Sequence, residues 1–163
     1  MEYSGPTRWG AVLLILLAGS VGAAQIEKLP GALPAIRADL DFGLVAAGWL
    51  ISTIVLIGAV GSIGAGMIGD GFGHRRMLLA DAALVSIGSL VGAVADGFSM
   101  LIVTRFVEGI GYIAVISSAP VLIVRAAADR VRPVAFGVWS FYMPFGMATM
   151  VALSPFLIDG LGD

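Results

Sequence analysis

The chain has 163 residues, of which 59% are apolar and 12% are charged, and its formal net charge is −2. A soluble domain has about a quarter of its residues charged, so this composition excludes a soluble domain and predicts a membrane protein. It contains no cysteine and one histidine, which excludes disulfides and thiolate metal sites, and we expect no metal and no cofactor. The charges form no basic patch, so no nucleic acid is expected as a partner.

Five apolar runs are each long enough to cross a bilayer as a helix, since a hydrocarbon core of about 30 Å needs about 20 residues. The runs lack the alternation of barrel strands, and a helix satisfies its own backbone polar groups in lipid. We therefore predict an all-α membrane protein, a polytopic bundle of five transmembrane helices in contact with the lipid bilayer, with helices over residues 9–26, 46–68, 77–95, 100–124 and 134–158.

The first run has some features of a secretory signal, because Arg8 precedes it and the small residues 21–24 end it. The apolar region of a signal usually has about 7–15 residues, whereas this run is longer and four more follow. We interpret it as a true first helix. The connection after it, 27–45, is the longest in the chain and is predicted to be a loop in which Glu27 is solvated.

The basic residues are distributed unevenly between the two sides of the predicted bundle. Arg105 lies within a span, Lys28 and Arg37 fall on one side, and six arginines fall on the other: Arg8, Arg75, Arg76, Arg125, Arg130 and Arg132. Because cytoplasmic loops carry an excess of Lys and Arg, the N-terminus is predicted to be cytoplasmic. We expect an integral protein of a bacterial inner (cell) membrane.

Charges and glycines crowd the short connection between the second and third runs, Gly66-Met-Ile-Gly-Asp70-Gly-Phe-Gly73-His-Arg75-Arg76. Asp70 lies where a helix dipole is negative, which costs up to about 1 kcal/mol unless a cation compensates it. The glycines permit a turn that brings Asp70 towards Arg75 and Arg76. Two interpretations remain open: a latch that differs between two conformations, and a topogenic loop with solvated arginines. We expect His74 to be solvated.

The fourth run contains the segment Arg105-Phe-Val-Glu108-Gly109-Ile-Gly111. A charge at this depth costs from about 2.5 kcal/mol upward, and the two ions share a helix face on which they can partly compensate each other. Either Arg105 only snorkels outward beside Glu108, or the pair is functional. Gln25 at the end of the first helix and Tyr112 one turn beyond Glu108 are predicted to face the same cavity. The candidate site for substrate or proton coupling is therefore Arg105, Glu108, Tyr112 and Gln25.

Two further features concern the third and fifth runs. Asp81 is predicted to pair with Arg75, Arg76 or a basic residue of the 125–132 link. Pro144 lies near the middle of the fifth run, where proline removes a backbone hydrogen bond and kinks a helix. Pro144 and Gly146 are predicted to form a hinge.

The pattern G-x-x-x-D-x-x-G-x-R-R after the second helix resembles the signature loop of the major facilitator superfamily, a large family of secondary transporters. The fourth-helix pattern R-x-x-x-G-x-G is also similar to a pattern of that family. The resemblance links this pattern to proton or substrate coupling. The resemblance implies a conformational latch at Gly66, Asp70, Gly73, Arg75 and Arg76, in which Asp70 locks the outward-facing state against the other half of the transporter. Gly71 and His74 stand where the family often has basic residues.

The resemblance implies that these five helices belong to an N-terminal six-helix domain, whose sixth helix and C-terminal half are absent from this sequence. It implies secondary active transport of a small-molecule solute by alternating access, coupled to protons, with no enzymatic activity. The C-terminal half of the transporter or another subunit is the expected partner. Arg105 favours an anionic solute. The alternative is a truncated or half-size membrane protein that does not transport and acts as an assembly or sensing partner.

Overall fold

The computed structural model describes residues 6–159, with side chains as far as Phe156, and every regular element in that range is helical. The helices are α1 (Trp9–Leu40), α2 (Leu44–Phe72), α3 (His74–Ala93), α4 (Phe98–Ala126), α5 (Arg132–Ser140) and α6 (Tyr142–Asp159), with one 3-10 turn over Asp129–Val131. Five stretches are long and apolar enough to cross a membrane: α1, α2, α3, α4 and residues 129–156. The predicted all-α membrane bundle with five spans is confirmed.

Helix α4 is the centre of the bundle. It packs extensively against α3 and α2 and also against α1, while α1 packs against α6. Three clusters of buried apolar residues hold these contacts, and α4 contributes to each of them. The largest joins α1, α4 and α5 and includes Val12, Val115 and Trp139. A residue of α4 is therefore in a position to contact side chains from all of α1, α2 and α3.

Helix α1 is longer than predicted, and the expected loop over 27–45 is wrong. The helix continues through Pro30 and Pro34 to Leu40, and only residues 41–43 connect it to α2. The segment is held in place because Leu29 is buried against Leu50 and Leu101 and Lys28 is paired with a residue of α4. The helix ends at Asp41, which adopts the left-handed conformation.

The fifth span is divided near its middle, whereas a continuous helix was predicted over 134–158. Helix α5 ends at Ser140 and α6 begins at Tyr142. Pro144 lies four residues after Ser140. In a continuous helix the proline ring would clash with the backbone carbonyl of Ser140, and proline has no N–H to donate to that carbonyl. The interruption therefore lies one turn before the proline, and the hinge function of Pro144 and Gly146 stays a prediction.

Candidate functional site

One end of the bundle collects most of the arginines. The backbone N–H of Arg8 donates to the carbonyl of Ala126 at 2.9 Å, and Ala128 donates to the hydroxyl of Thr7 at 3.0 Å. Helices α3 and α4 are antiparallel, with Gly92 against Thr104 and Gly111 against Asp81, so the start of α3 lies at this end too. It is termed the arginine-rich end and contains Arg8, Arg75, Arg76, Arg125, Arg130 and Arg132.

A buried ionic cluster joins α1, α3 and α4 away from that end. The carboxylate of Glu108, whose side chain is fully buried, accepts from Lys28 Nζ at 2.6 Å on Oε1 and forms an ion pair with Arg105 through Oε2. Arg105 does not snorkel outward, because its side chain is only 4% exposed and one of its guanidinium nitrogens donates to the carbonyl of Gln25 at 3.1 Å. Glu108 is thus compensated from two helices.

Ser89 completes this group. Its hydroxyl accepts from Lys28 Nζ at 2.8 Å and lies 3.0 Å from Glu108 Oε1 and 3.1 Å from Gln25 Oε1. The five residues are termed the polar cluster: Gln25, Lys28, Ser89, Arg105 and Glu108. With two cations and one anion, the cluster has one positive charge in excess within the membrane-spanning part of the bundle.

Glycines of α3 leave space for the side chains of the polar cluster between α3 and α4. A Cβ atom on Gly88 would lie 2.7 Å from Cγ of Glu108, and one on Gly92 would lie 3.2 Å from the hydroxyl oxygen of Thr104. Because these positions have no side chain, α3 approaches α4 closely enough for Ser89 to reach the carboxylate.

A cleft of about 620 Å³ adjoins the polar cluster. Lys28, Ser89 and Arg105 form its polar edge, and α1, α4 and α6 supply a mainly apolar wall that includes Leu29, Ile36, Leu101 and Met150. Asp39 also lines the cleft, about 16 Å along α1 from Lys28. A small solute with an anionic end and an apolar body matches this lining chemically.

Three of the four residues predicted for substrate or proton coupling come together in this cluster: Gln25, Arg105 and Glu108. Tyr112 lies one turn further along α4, and its ring rests on Gly22 of α1, where a Cβ would be 3.0 Å from Tyr112 Cδ2. Sequence reasoning missed Lys28 because α1 was ended at Ile26. It also missed Ser89, for which the neighbouring Gly88 and Gly92 were the available signal.

The residues of the predicted latch do not form a charge cluster in this structure. Asp70 lies in the last turn of α2 with its side chain 83% exposed, and its partner within residues 6–159 is His74, with Nε2 at 3.3 Å from the carboxylate. Arg75 and Arg76 are exposed, and Arg76 lies over the ring of Phe72. Gly73 makes the turn with φ of 96°, a conformation that glycine adopts without strain, and Gly66 faces open space.

Two expectations about ionisable groups near this turn are wrong. His74 is not solvated: it is 3% exposed and its ring packs against Gly69, because the glycine leaves space under the first turn of α3. Asp81 is buried, and in the described part of the chain it forms no ion pair with Arg75, Arg76 or the 125–132 link. Both arginines are exposed, whereas Asp81 is buried.

Comparison with known proteins shows the family of this chain. The family model of the Major Facilitator Superfamily matches residues 9–162. The chain belongs to the major facilitator superfamily. It is an integral membrane protein, and the curated proteins it resembles are named as transporters.

Three relatives show how far this similarity reaches. The chain is 26% identical over 134 residues to the galactose-proton symporter of Escherichia coli K12, covering 82% of this chain and 29% of the symporter. It is 30% identical over 157 residues to a probable actinorhodin transporter of Streptomyces coelicolor, covering 93% of this chain and 26% of that protein. It is 31% identical over 106 residues to the 3-(3-hydroxy-phenyl)propionate transporter of Escherichia coli K12, covering 65% and 26%. The chain therefore spans less than a third of each.

Proposed function

We propose that this chain is the N-terminal part of a secondary transporter that moves a small solute by alternating access, coupled to protons. The observation that carries the proposal is the polar cluster, in which Lys28 and Arg105 share Glu108 beside a cleft. Intramembrane ions are costly and mark transport pathways by default. Family membership supports transport, and a relative named as a proton symporter supports proton coupling.

The excess positive charge of the polar cluster selects the proposed substrate class. Glu108 neutralises only one of its two cations, so an anionic group that enters the cleft gains a charge-assisted contact with Lys28 or Arg105. The apolar wall formed by Leu29, Leu101 and Met150 suits the rest of a small organic anion. Tyr112, one turn further along α4, belongs to the same proposed site.

Alternating access requires a second bundle, which we propose to be the C-terminal half of the transporter or another subunit. The exposed carboxylate of Asp70 is available to a residue of that partner, and Gly66 leaves the same part of α2 open to close approach. In this proposal Gly73 shapes the turn, and Arg75 and Arg76 complete the latch. We further propose a bacterial inner membrane with the arginine-rich end in the cytoplasm.

Uptake into liposomes by the protein with its complete reading frame tests the proposal. We expect a labelled small organic anion to accumulate when a proton gradient is imposed. Arg105→Gln should lower uptake by at least about tenfold, since one charge-assisted contact is worth about 1.5–3 kcal/mol. Arg130→Gln is the matched control, because Arg130 is exposed at the arginine-rich end, and it should leave uptake unchanged.

Two results would contradict the proposal at different levels. Unchanged uptake in the Arg105→Gln variant would remove the anion-binding role from the polar cluster. Absence of gradient-driven uptake for charged and neutral solutes alike would favour a protein that does not transport and serves as an assembly or sensing partner.

A further inference from the structure

Asp81 is a second buried acid in the bundle, and the polar cluster does not include it. It lies seven residues after the start of α3, which is about 10 Å along the helix from the arginine-rich end. The residue is 3% exposed. Its Oδ1 atom is inaccessible and has no hydrogen-bond partner among residues 6–159.

The carboxyl occupies a niche that a glycine of α4 leaves open. A Cβ atom on Gly111 would lie 3.3 Å from Oδ1 of Asp81 and 3.2 Å from its backbone oxygen. Glu108, the other buried acid of this interface, has a corresponding arrangement, since Gly88 of α3 leaves space for Glu108 of α4. Glu108 and Gly111 are three residues apart on α4, about 4.5 Å along its axis, whereas Asp81 and Gly88 are seven residues apart on α3, about 10 Å along its axis.

None of the charged groups that the structure describes serves Asp81 as a counter-ion. Helix α3 packs against α4, α2 and α1. On α4, Arg105 is engaged by Glu108, Arg125 is exposed and Tyr112 rests on α1. The other ionisable side chains of these four helices are either exposed, paired elsewhere or remote along the axis: Glu27, Lys28, Arg37, Asp39, Asp70, His74, Arg75 and Arg76. Ion pairs within residues 6–159 do not include Asp81.

The surroundings of Glu108 and Asp81 differ in how well they compensate a negative charge. Glu108 faces two cations, so its ionised form is compensated. Asp81 faces Gly111 and has no ion-pair partner within residues 6–159. Burying an ionised carboxylate without a partner is strongly unfavourable, whereas a neutral carboxyl has no charge to compensate and can act as a hydrogen-bond donor.

We propose that Asp81 is a proton-binding site of this protein, which carries its proton in the packed arrangement of α3 and α4, and that Glu108 stays ionised. Asp81 would then load and release the coupled proton, an extension that rests on the proposed transport function. Release requires that water reach Asp81, and the short distance to the arginine-rich end makes that end the exit. The polar cluster would hold the solute, and the proton would bind at a separate carboxyl of the same helix interface.

Infrared spectroscopy of the reconstituted protein at neutral pH tests this assignment directly, because a protonated carboxylic acid has a carbonyl stretch that a carboxylate lacks. We expect the wild-type protein to show this band. Asp81→Asn should remove it, and the change keeps the side-chain size and the absence of charge, so the fold should persist. Asp96→Asn is the matched control, since Asp96 is exposed, and it should leave the band unchanged.

A second measurement uses only the wild-type protein. The band of a buried acid should shift slowly after transfer into D2O, whereas that of an exposed acid shifts at once. No band in the wild type, a band that survives Asp81→Asn, or an immediate shift in D2O would each overturn the assignment. The spectra need no transport, so a protein that fails to take up any solute but shows the expected band contradicts only the proposed function.

Discussion

Glu108 controls the charge balance inside the bundle, because both of its carboxylate oxygens are engaged by cations from two helices. The cluster is not a neutral pair: Lys28 adds a second cation at 2.6 Å. Loss of the anion and loss of the extra cation should therefore have very different consequences. Asp81 shows the opposite situation on the same interface, because its buried carboxyl pairs with no cation in the described range 6–159.

Glu108→Gln should strongly destabilise the bundle. The change leaves Lys28 and Arg105 close together and uncompensated, and removing one partner of a buried ion pair costs about 3–5 kcal/mol. Lys28→Met removes two hydrogen bonds, to Glu108 and Ser89, and should cost only about 2 kcal/mol, because the remaining pair of Arg105 and Glu108 is neutral. The free energy of unfolding in detergent, followed by tryptophan fluorescence, measures both. An equal decrease in the free energy of unfolding in the two variants would show that the excess positive charge does not affect stability.

Among the elements, α1 and α6 approach each other most closely at a glycine. The α carbon of Gly146 packs against the backbone carbonyl of Ser20 and the side chain of Ala23, so even a methyl group has no space there. Gly137 of α5 is in open surroundings, with nothing near the position of a Cβ. The two glycines form a matched pair for testing whether the contact is tight.

Gly146→Ala should destabilise the protein by about 1–3 kcal/mol, the usual cost of overpacking. Gly137→Ala should be neutral or stabilising by up to about 1 kcal/mol, because alanine is the better helix former. Thermal unfolding of the purified variants compares them. A Gly146→Ala variant as stable as Gly137→Ala would mean that α6 moves away from α1 at little cost.

The junction between α5 and α6 depends on Pro144. Pro144→Ala should restore the backbone bond to the carbonyl of Ser140 and merge the two helices. Hydrogen exchange of the amides from 138 to 145 should then become slower than in the wild type. Unchanged exchange would show that the interruption is set by tertiary packing and not by the proline.

At the scale of the whole molecule, the described bundle has large apolar side chains on its outside. On α2, for example, Val60, Ile63 and Met67 are each more than 70% exposed, as expected for a surface that faces lipid or another membrane-embedded segment. The arginines collect at one end of this apolar body, which is the basis for the proposed orientation.

Cysteine labelling tests that orientation cleanly, because the chain has no cysteine of its own. With a reagent that does not cross membranes, the Asp96→Cys variant should be labelled in intact cells. The Arg130→Cys variant should be labelled only after permeabilisation, because cytoplasmic loops hold most of the Lys and Arg. Both positions are exposed, and the wild type is the unlabelled control. The reverse pattern would place the arginine-rich end outside.

The amino-acid sequence by itself determined the membrane class, the five spans and the pairing of Arg105 with Glu108. Composition and run length decide whether a segment enters a bilayer, and residues three apart on one helix are neighbours whatever surrounds them. The turn at Gly73 was predictable for the same reason, since its φ of 96° is a local requirement. Each of these properties depends on residues close together in the chain.

Only the tertiary structure decided which groups compensate the buried charges. Lys28 and Ser89 contact Glu108 although they precede it in the chain by 80 and 19 positions, respectively. No local sequence pattern indicates such contacts. Helix α1 continues past two prolines to Leu40 because Leu29 and Lys28 find partners on other helices. Asp81 was expected to pair with nearby arginines, yet its direction towards Gly111 isolates it. Packing between helices, which the linear sequence does not specify, sets these charge environments.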